Sequence, residues 1–195
     1  MAVISEKPMA DTLEAAKAMV TAAVGDWFAL RHYAKQEVTR IRQEERLGRL
    51  QHLFGRYACD YRQYLSWGRA WRHDMDFGLL FEGAVHHSDM LRFLSGGDCQ
   101  TLMGFGWNPE WSSFKHFSSG YYLMQMNNGV HACYEGNSSA AGMTNCWHRE
   151  HYRLEFEAGT VEIAEGDDIT IHRVGEATEV YQAPEITLQR APIFR

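Results

Sequence analysis

Glu82 and His86 stand four residues apart, so on a helix their side chains share one face within reach of each other. A carboxylate beside an imidazole favours the protonated ring and fixes its orientation, which suits a general acid/base. Asp89, three residues past His86, offers a second carboxylate. The same spacing fits a partly buried histidine satisfied by a surface ion pair, and spacing alone does not separate the two. Lys7 ends a short β-favouring run ahead of Pro8, which holds it extended. In a parallel sheet that carboxyl-end position is where ligands gather, and a lysine there can polarise an oxygen or contact an anion. Trp71-Arg72-His73-Asp74 sets a flat apolar ring beside a cation. That combination suits holding a polyol and equally suits a loop pinned by an aromatic anchor.

The histidines do not read as metal ligands. His86 and His87 are adjacent, and neighbouring helical residues point about 100° apart. His148 and His151 fall on opposite faces of a strand, and no H-E-x-x-H motif is present. The aromatics Trp107, Trp111, Phe114, Phe117, Tyr121, Tyr122 and Trp147 read as sheet core or subunit interface, with the interface favoured. Gly104-Phe105-Gly106 lacks the third glycine of a dinucleotide fingerprint and falls within an expected strand instead of opening a helix.

The elements that must position these side chains follow from periodicity. Ala2-Val3-Ile4, a helix capped by Asp11 with Glu14 as its capping-box partner, and Trp27 to Arg31 read as strand, helix, strand. From Tyr33 the grammar changes. Lys35 to Leu47 is a charged, loosely amphipathic helix closed by Gly48, and Leu50 to Tyr61 reads as a strand. Leu79 to Leu94 is the clearest helix, with Leu80, Ala84, Leu91 and Leu94 on one stripe and Gly96-Gly97 as its stop. Tyr121–Met126 and Val130–Glu135 flank Asn127-Asn128-Gly129, a tight-turn signal. Tyr152, Leu154 and Phe156 alternate with charged neighbours, so that strand has one dry and one wet face. Turns at Ala158-Gly159, Gly166-Asp167-Asp168 and Gly175-Glu176 mark further strands. The sum is α+β: a βαβ remnant over residues 1–33, then an α+β domain over 34–195 with a largely antiparallel open sheet.

Composition narrows the function. A net charge of −6 argues against nucleic acid or an anionic membrane as partner. No apolar run approaches the roughly 20 residues of a membrane span, and Glu6-Lys7 interrupts the stretch a signal peptide needs. The expected compartment is the cytoplasm, with the four cysteines as free, buried thiols.

Glu6-Lys7-Pro8 resembles the E-K-P motif of the Gfo/Idh/MocA oxidoreductases. Leu79-Leu80-Phe81-Glu82-Gly83-Ala84-Val85-His86-His87-Ser88-Asp89-Met90-Leu91 resembles that family's second signature, with Trp71-Arg72 upstream and Asn108-Pro109-Glu110-Trp111 downstream. The resemblance implies hydride transfer between NAD or NADP and a sugar, cyclitol or related polyol, and a homo-oligomer formed through the open sheet. It implies Lys7, His86 and Glu82 as catalytic residues, Glu6 and Lys7 at the cofactor, and Trp71, Arg72 and His87 at the substrate. Glu82 stands where the family usually has aspartate, and the usual Gly-Gly lead-in is reduced to Gly78. The phosphate-binding glycines that family members carry ahead of E-K-P do not precede it here. The expectation is therefore a truncated oxidoreductase, or alternatively a non-catalytic ligand-binding or dimerisation module derived from one.

Overall fold

A computed structural model describes residues 12, 14, 15, 17, 33–44, 46–146, 149–164 and 168–182. Lys7, Glu6 and nearly all of the expected 1–33 unit lie outside these residues. Within that unit, Thr12 Oγ1 accepts the amide of Ala15 at 3.2 Å. This is an N-cap bond made by the residue after the expected cap, Asp11.

The chain then runs α1 (Tyr33–Gln43), β1 (Leu50–Asp60), the short α2 (Ala70–Asp74), a π-helical turn (Leu79–Ala84) and α3 (Val85–Ser95). Eight further strands follow: β2 (Cys99–Trp107), β3 (Ser119–Met126), β4 (His131–Asn137), β5 (Ser139–Asn145), β6 (His151–Phe156), β7 (Gly159–Ile163), β8 (Asp168–Arg173) and β9 (Glu179–Gln182). α2 occupies part of the stretch read from sequence as loop. The architecture is α+β, as expected. The described strands form one sheet in the order β2-β3-β4-β1-β6-β7-β8-β9, with β5 on the end of β1. Neighbours pair antiparallel except at the centre, where β1 and β4 run parallel with Phe54 opposite Cys133.

The period-2 patterning sends alternate side chains to opposite faces, and the two helices α1 and α3 cover only one of them. On that face Leu53, Tyr57, Tyr134, Leu154, Val161, Ile163, Ile169 and Ile171 are almost fully buried, beneath Ala34, Val38 and Ile41 of α1 and Leu91 and Leu94 of α3. Gly55 of β1 sits between Tyr134 and Tyr152 on its two neighbours. A Cβ there would meet Leu91 at 3.0 Å and Tyr152 at 3.1 Å, so glycine is what lets α3 lie close on the sheet.

The opposite face carries no helix among the described residues. Its β2–β3 end is apolar, with Met103, Phe105 and Leu123 more than half exposed. Its β1–β6–β7 end is a lattice of paired charges: Arg56 with Glu135 at 3.0 Å, Arg153 with Glu155 at 2.9 Å and His151 with Glu162 at 3.6 Å.

One expectation is overturned. Cys59, at the end of β1, and Cys146, just past β5, form a disulfide with a Cα–Cα separation of 6.1 Å. Cys99 is free but exposed, and Cys133 is free and partly buried. The sequence reading treated all four as buried thiols because it had no way to see that β5 folds back antiparallel on β1, with Cys59 opposite Thr144. Among the described residues no helix is long and apolar enough to cross a membrane.

Candidate functional site

The site is built where the π-helical turn passes into α3. A π turn admits one extra residue, re-aims the helix that follows and recurs at functional positions. It is preceded by Phe77, a non-glycine residue with φ of 55°, a left-handed backbone that costs about 1 kcal/mol or more and persists only where packing enforces it. Here the packing is the Phe77 ring against His116 at 5.2 Å and Phe117 at 5.4 Å. Beyond the turn, α3 runs to Ser95 and stops at Gly96, left-handed with φ of 72°.

Glu82 lies within the π turn and is 2% exposed. Burying a carboxylate costs several kcal/mol unless a cation and hydrogen bonds compensate, and Arg72 supplies both. Its Nε donates to Glu82 Oε2 at 3.2 Å and its Nη1 donates to the Trp67 carbonyl at 3.2 Å. The guanidinium lies 4.7 Å from the Trp71 ring and 5.8 Å from the Trp67 ring. Arg72 is thereby fixed on three sides. Trp71 is 47% exposed and forms the outer wall, while Trp67 is buried and stacks on Tyr61 at 5.3 Å.

His86 is the second residue of α3 and is exposed, one turn on from Glu82. His87 points the other way, into the sheet. It is 4% exposed, with its ring 4.8 Å from Tyr57 and 5.4 Å from Tyr134. Nδ1 is 2.8 Å from the Tyr134 hydroxyl and Nε2 is 3.6 Å from the Glu150 carboxylate. Burial drives the phenols of Tyr57 and Tyr134 well above their ordinary range, so both stay hydroxyls and Tyr134 keeps a proton to donate. Sequence spacing could not assign these tyrosines, or Glu150, to the site. Each lies far from His87 along the chain and is brought to it by the β1–β4 pairing and the start of β6. Asp89, the other candidate carboxylate, pairs with Arg92 at 3.5 Å.

His73, next to Arg72, is buried against Phe114 at 4.4 Å and shares a 2.9 Å hydrogen bond with Ser113 Oγ. Burial pushes its imidazole below the ordinary value near 6.5, opposed by Asp74. It is a neutral brace for the Trp67–Arg72 wall. Among the described residues no group of three or more His, Cys, Asp or Glu side chains is placed to hold a metal ion. A shallow depression of about 250 Å³ beside Arg92 and Asp98 lies at the far end of α3 and takes no part in the site.

The arrangement thus offers an exposed imidazole one helical turn past an anchored, buried carboxylate, with an aromatic and cationic wall formed by Trp71 and Arg72. That is chemistry for taking a proton from, or returning one to, a hydroxyl held against Trp71. It does not fit a dinucleotide's pyrophosphate. Gly104 and Gly106 lie in β2, where a Cβ would strike the Tyr121 carbonyl at the first and the Phe117 ring at 2.6 Å at the second. They are there for strand packing, and a phosphate cradle at a helix start is not among the described residues.

Comparison with known proteins gives one consistent picture. Residues 36–162 match the family model of the GFO/IDH/MocA C-terminal domain. The chain is 36% identical over 180 residues to the uncharacterized protein y4oX of Sinorhizobium fredii, covering 89% of this chain and 50% of that protein. Among solved structures, an oxidoreductase from Agrobacterium radiobacter in complex with NAD+, L-tartaric acid and magnesium superposes with a TM-score of 0.79 at 16% identity, over 96% of this chain and 56% of its own. An inositol dehydrogenase homologue from Azotobacter vinelandii, complexed with NADH and myo-inositol, gives 0.75 at 16%, over 90% and 48%. A levoglucosan dehydrogenase with NADH and levoglucosan gives 0.74 at 19%, over 90% and 53%. The chain spans about half the length of the proteins it matches.

Proposed function

Because the chain belongs to the GFO/IDH/MocA family through its C-terminal domain, we propose that it is the substrate-binding part of an NAD(P)-dependent oxidoreductase acting on a sugar, cyclitol or related polyol in the cytoplasm. The observation that carries this reading is the clamp of Arg72 on buried Glu82 at 3.2 Å, with the guanidinium against the half-exposed Trp71 ring and exposed His86 one helical turn on. Oxidising a secondary alcohol needs a base at the hydroxyl, and the exposed imidazole of His86 is the group proposed for it. Glu82 and Arg72 hold the wall that the polyol lies on, with Trp71 presenting an aromatic face to its C–H groups. His87 supports the same turn from beneath. By resemblance, Lys7 would steady negative charge on the reacting oxygen, and Glu6 would stand with it at the nicotinamide. The cofactor supplies the redox chemistry, and the described residues serve the substrate side. The myo-inositol and levoglucosan bound in two of the superposed structures support the substrate class.

The test is direct binding. Saturation-transfer NMR of the chain with myo-inositol, levoglucosan and L-tartrate is expected to show contact for at least one of them, lost in Trp71→Ala and weakened in His86→Gln. Equal signals from wild type and Trp71→Ala for every ligand would sink the reading.

A second function sits beside the first: self-association. Met103, Phe105, Tyr121 and Leu123 leave on the order of several hundred Å² of apolar surface on the helix-free face. A second copy of the chain is proposed to cover it. If the polyol test fails and this association holds, the non-catalytic dimerisation module becomes the better reading. Sedimentation velocity on wild type and Leu123→Lys separates the cases, with dimer expected for the first and monomer for the second.

A further inference from the structure

The disulfide ties Cys146 to β1 through Cys59, and from Cys146 two paths lead to the two walls of the site. From Cys146, one path runs through the Tyr61 hydroxyl, 3.5 Å from Sγ. The Tyr61 ring stacks on Trp67 at 5.3 Å with planes only 4° apart. The Trp67 carbonyl takes a hydrogen bond from Arg72, whose Nε holds Glu82. The other path runs four residues along the chain to Glu150, whose carboxylate lies 3.6 Å from His87 Nε2. The first path ends at Glu82 and the second at His87, which flank His86 in the sequence. At the other end of the bond, Cys59 is 3% exposed and fixed in β1, whereas Cys146 is only partly covered.

We propose that Cys59 and Cys146 form a reversible dithiol–disulfide site that sets the placement of the Trp67–Arg72 and Glu150–His87 walls, with a low-molecular-weight disulfide such as glutathione disulfide as its oxidant. The coupling to function rests on the site reading above. The chemistry of the pair does not. In the oxidation step the partly accessible Cys146 thiolate attacks one sulfur of glutathione disulfide. A mixed disulfide forms and one glutathione thiolate leaves. The Cys59 thiolate then attacks Cys146 Sγ, forming the Cys59–Cys146 bond and releasing the second glutathione. Two protein thiols are oxidised, one disulfide is reduced to two thiols, and the two protons pass to the departing thiolates. In a compartment that keeps thiols reduced, a bond of this kind is transient and serves as a sensor. Reduction cuts the covalent link between β1 and the segment entering β6, leaving the Glu150–His87 pair and the Tyr61–Trp67 stack without that tie.

The experiment uses the full chain equilibrated in glutathione buffers of graded oxidation. Thiol alkylation with mass spectrometry follows Cys59 and Cys146, while amide exchange and imidazole NMR follow the two walls. Protection of both cysteines together in oxidising buffer is expected. On reduction, amide exchange in residues 61–72 and 149–151 should rise at least about tenfold, with a shift in the His87 ring resonances. Cys146→Ser should show the reduced pattern in every buffer, and reversal in wild type guards against a folding defect in the variant. Alkylation of both cysteines in the most oxidising buffer overturns the proposal. So does an exchange pattern and a His87 signal that stay unchanged between the oxidised and reduced protein. Neither readout involves a polyol, so failure of the substrate reading leaves this test intact.

Discussion

At the scale of single residues, the Arg72–Glu82 pair decides whether the wall of the site survives. Removing one partner of a fully buried ion pair costs about 3–5 kcal/mol because the other charge is left stranded. Arg72 is 27% exposed, so water recovers part of that loss. Arg72→Met is expected to destabilise by about 2–3 kcal/mol, and the double variant Arg72→Met with Glu82→Leu by distinctly less. Chemical denaturation of the four proteins of the cycle checks it, and simple additivity of the two losses would refute the pairing. His86→Gln should leave stability within about 0.5 kcal/mol, since the ring is exposed. The polyol contact seen by saturation-transfer NMR should weaken in the same variant while the fold stays intact. His73 adds a pH signature. Its folded imidazole is held below 6.5 by burial, so unfolding lets it bind a proton. Its contribution is complete above about pH 6.5 and is lost as pH falls through that value toward the lower folded one. Melting curves between about pH 7.5 and 5.5 should therefore fall less steeply for His73→Gln than for wild type.

Elements carry the next layer. α1 is tied to the last described strand by Glu37, a buried carboxylate that accepts from Arg40 Nε at 2.8 Å and from the Tyr181 hydroxyl at 3.2 Å. The Arg40 hydrogen bond holds the Glu37 carboxyl below its ordinary value near 4.5 against the opposing effect of burial. That stabilisation is present above about pH 4.5 and lost as pH falls through the folded value. The stability gap between wild type and Glu37→Gln is thus expected to be widest at neutral pH and to close in acid, as read from urea midpoints. A gap that widens on acidification would reverse the sign and refute it. The contact of α3 with the sheet depends on Gly55, and Gly55→Ala should cost about 1–3 kcal/mol by overpacking against Leu91 and Tyr152.

For the whole molecule, the sheet face that carries no helix among the described residues, and the lack of a phosphate cradle among those residues, set two expectations. Dimer dissociation in Leu123→Lys belongs to the first. For the second, calorimetry of the chain with NAD+ or NADP+ should show weak binding or none, and a dissociation constant in the low micromolar range would overturn it.

Much of this was legible in the sequence because it is encoded over a few residues. The alternation of Tyr152, Leu154 and Phe156 specified β6, Asn127-Asn128-Gly129 specified the β3–β4 turn, and Gly96 specified the end of α3. The Glu82–His86 spacing singled out one helical turn, which in the structure is the junction of the π turn with α3. What the tertiary structure alone decided is everything that joins distant segments. The parallel pairing of β1 with β4 put Tyr57 and Tyr134 around His87, and so gave adjacent histidines opposite surroundings. The return of β5 onto β1 joined cysteines 87 residues apart. A strand's pattern states which face is apolar but not which strand lies beside it, because the choice of neighbour is made by the fit of whole faces in the packed core.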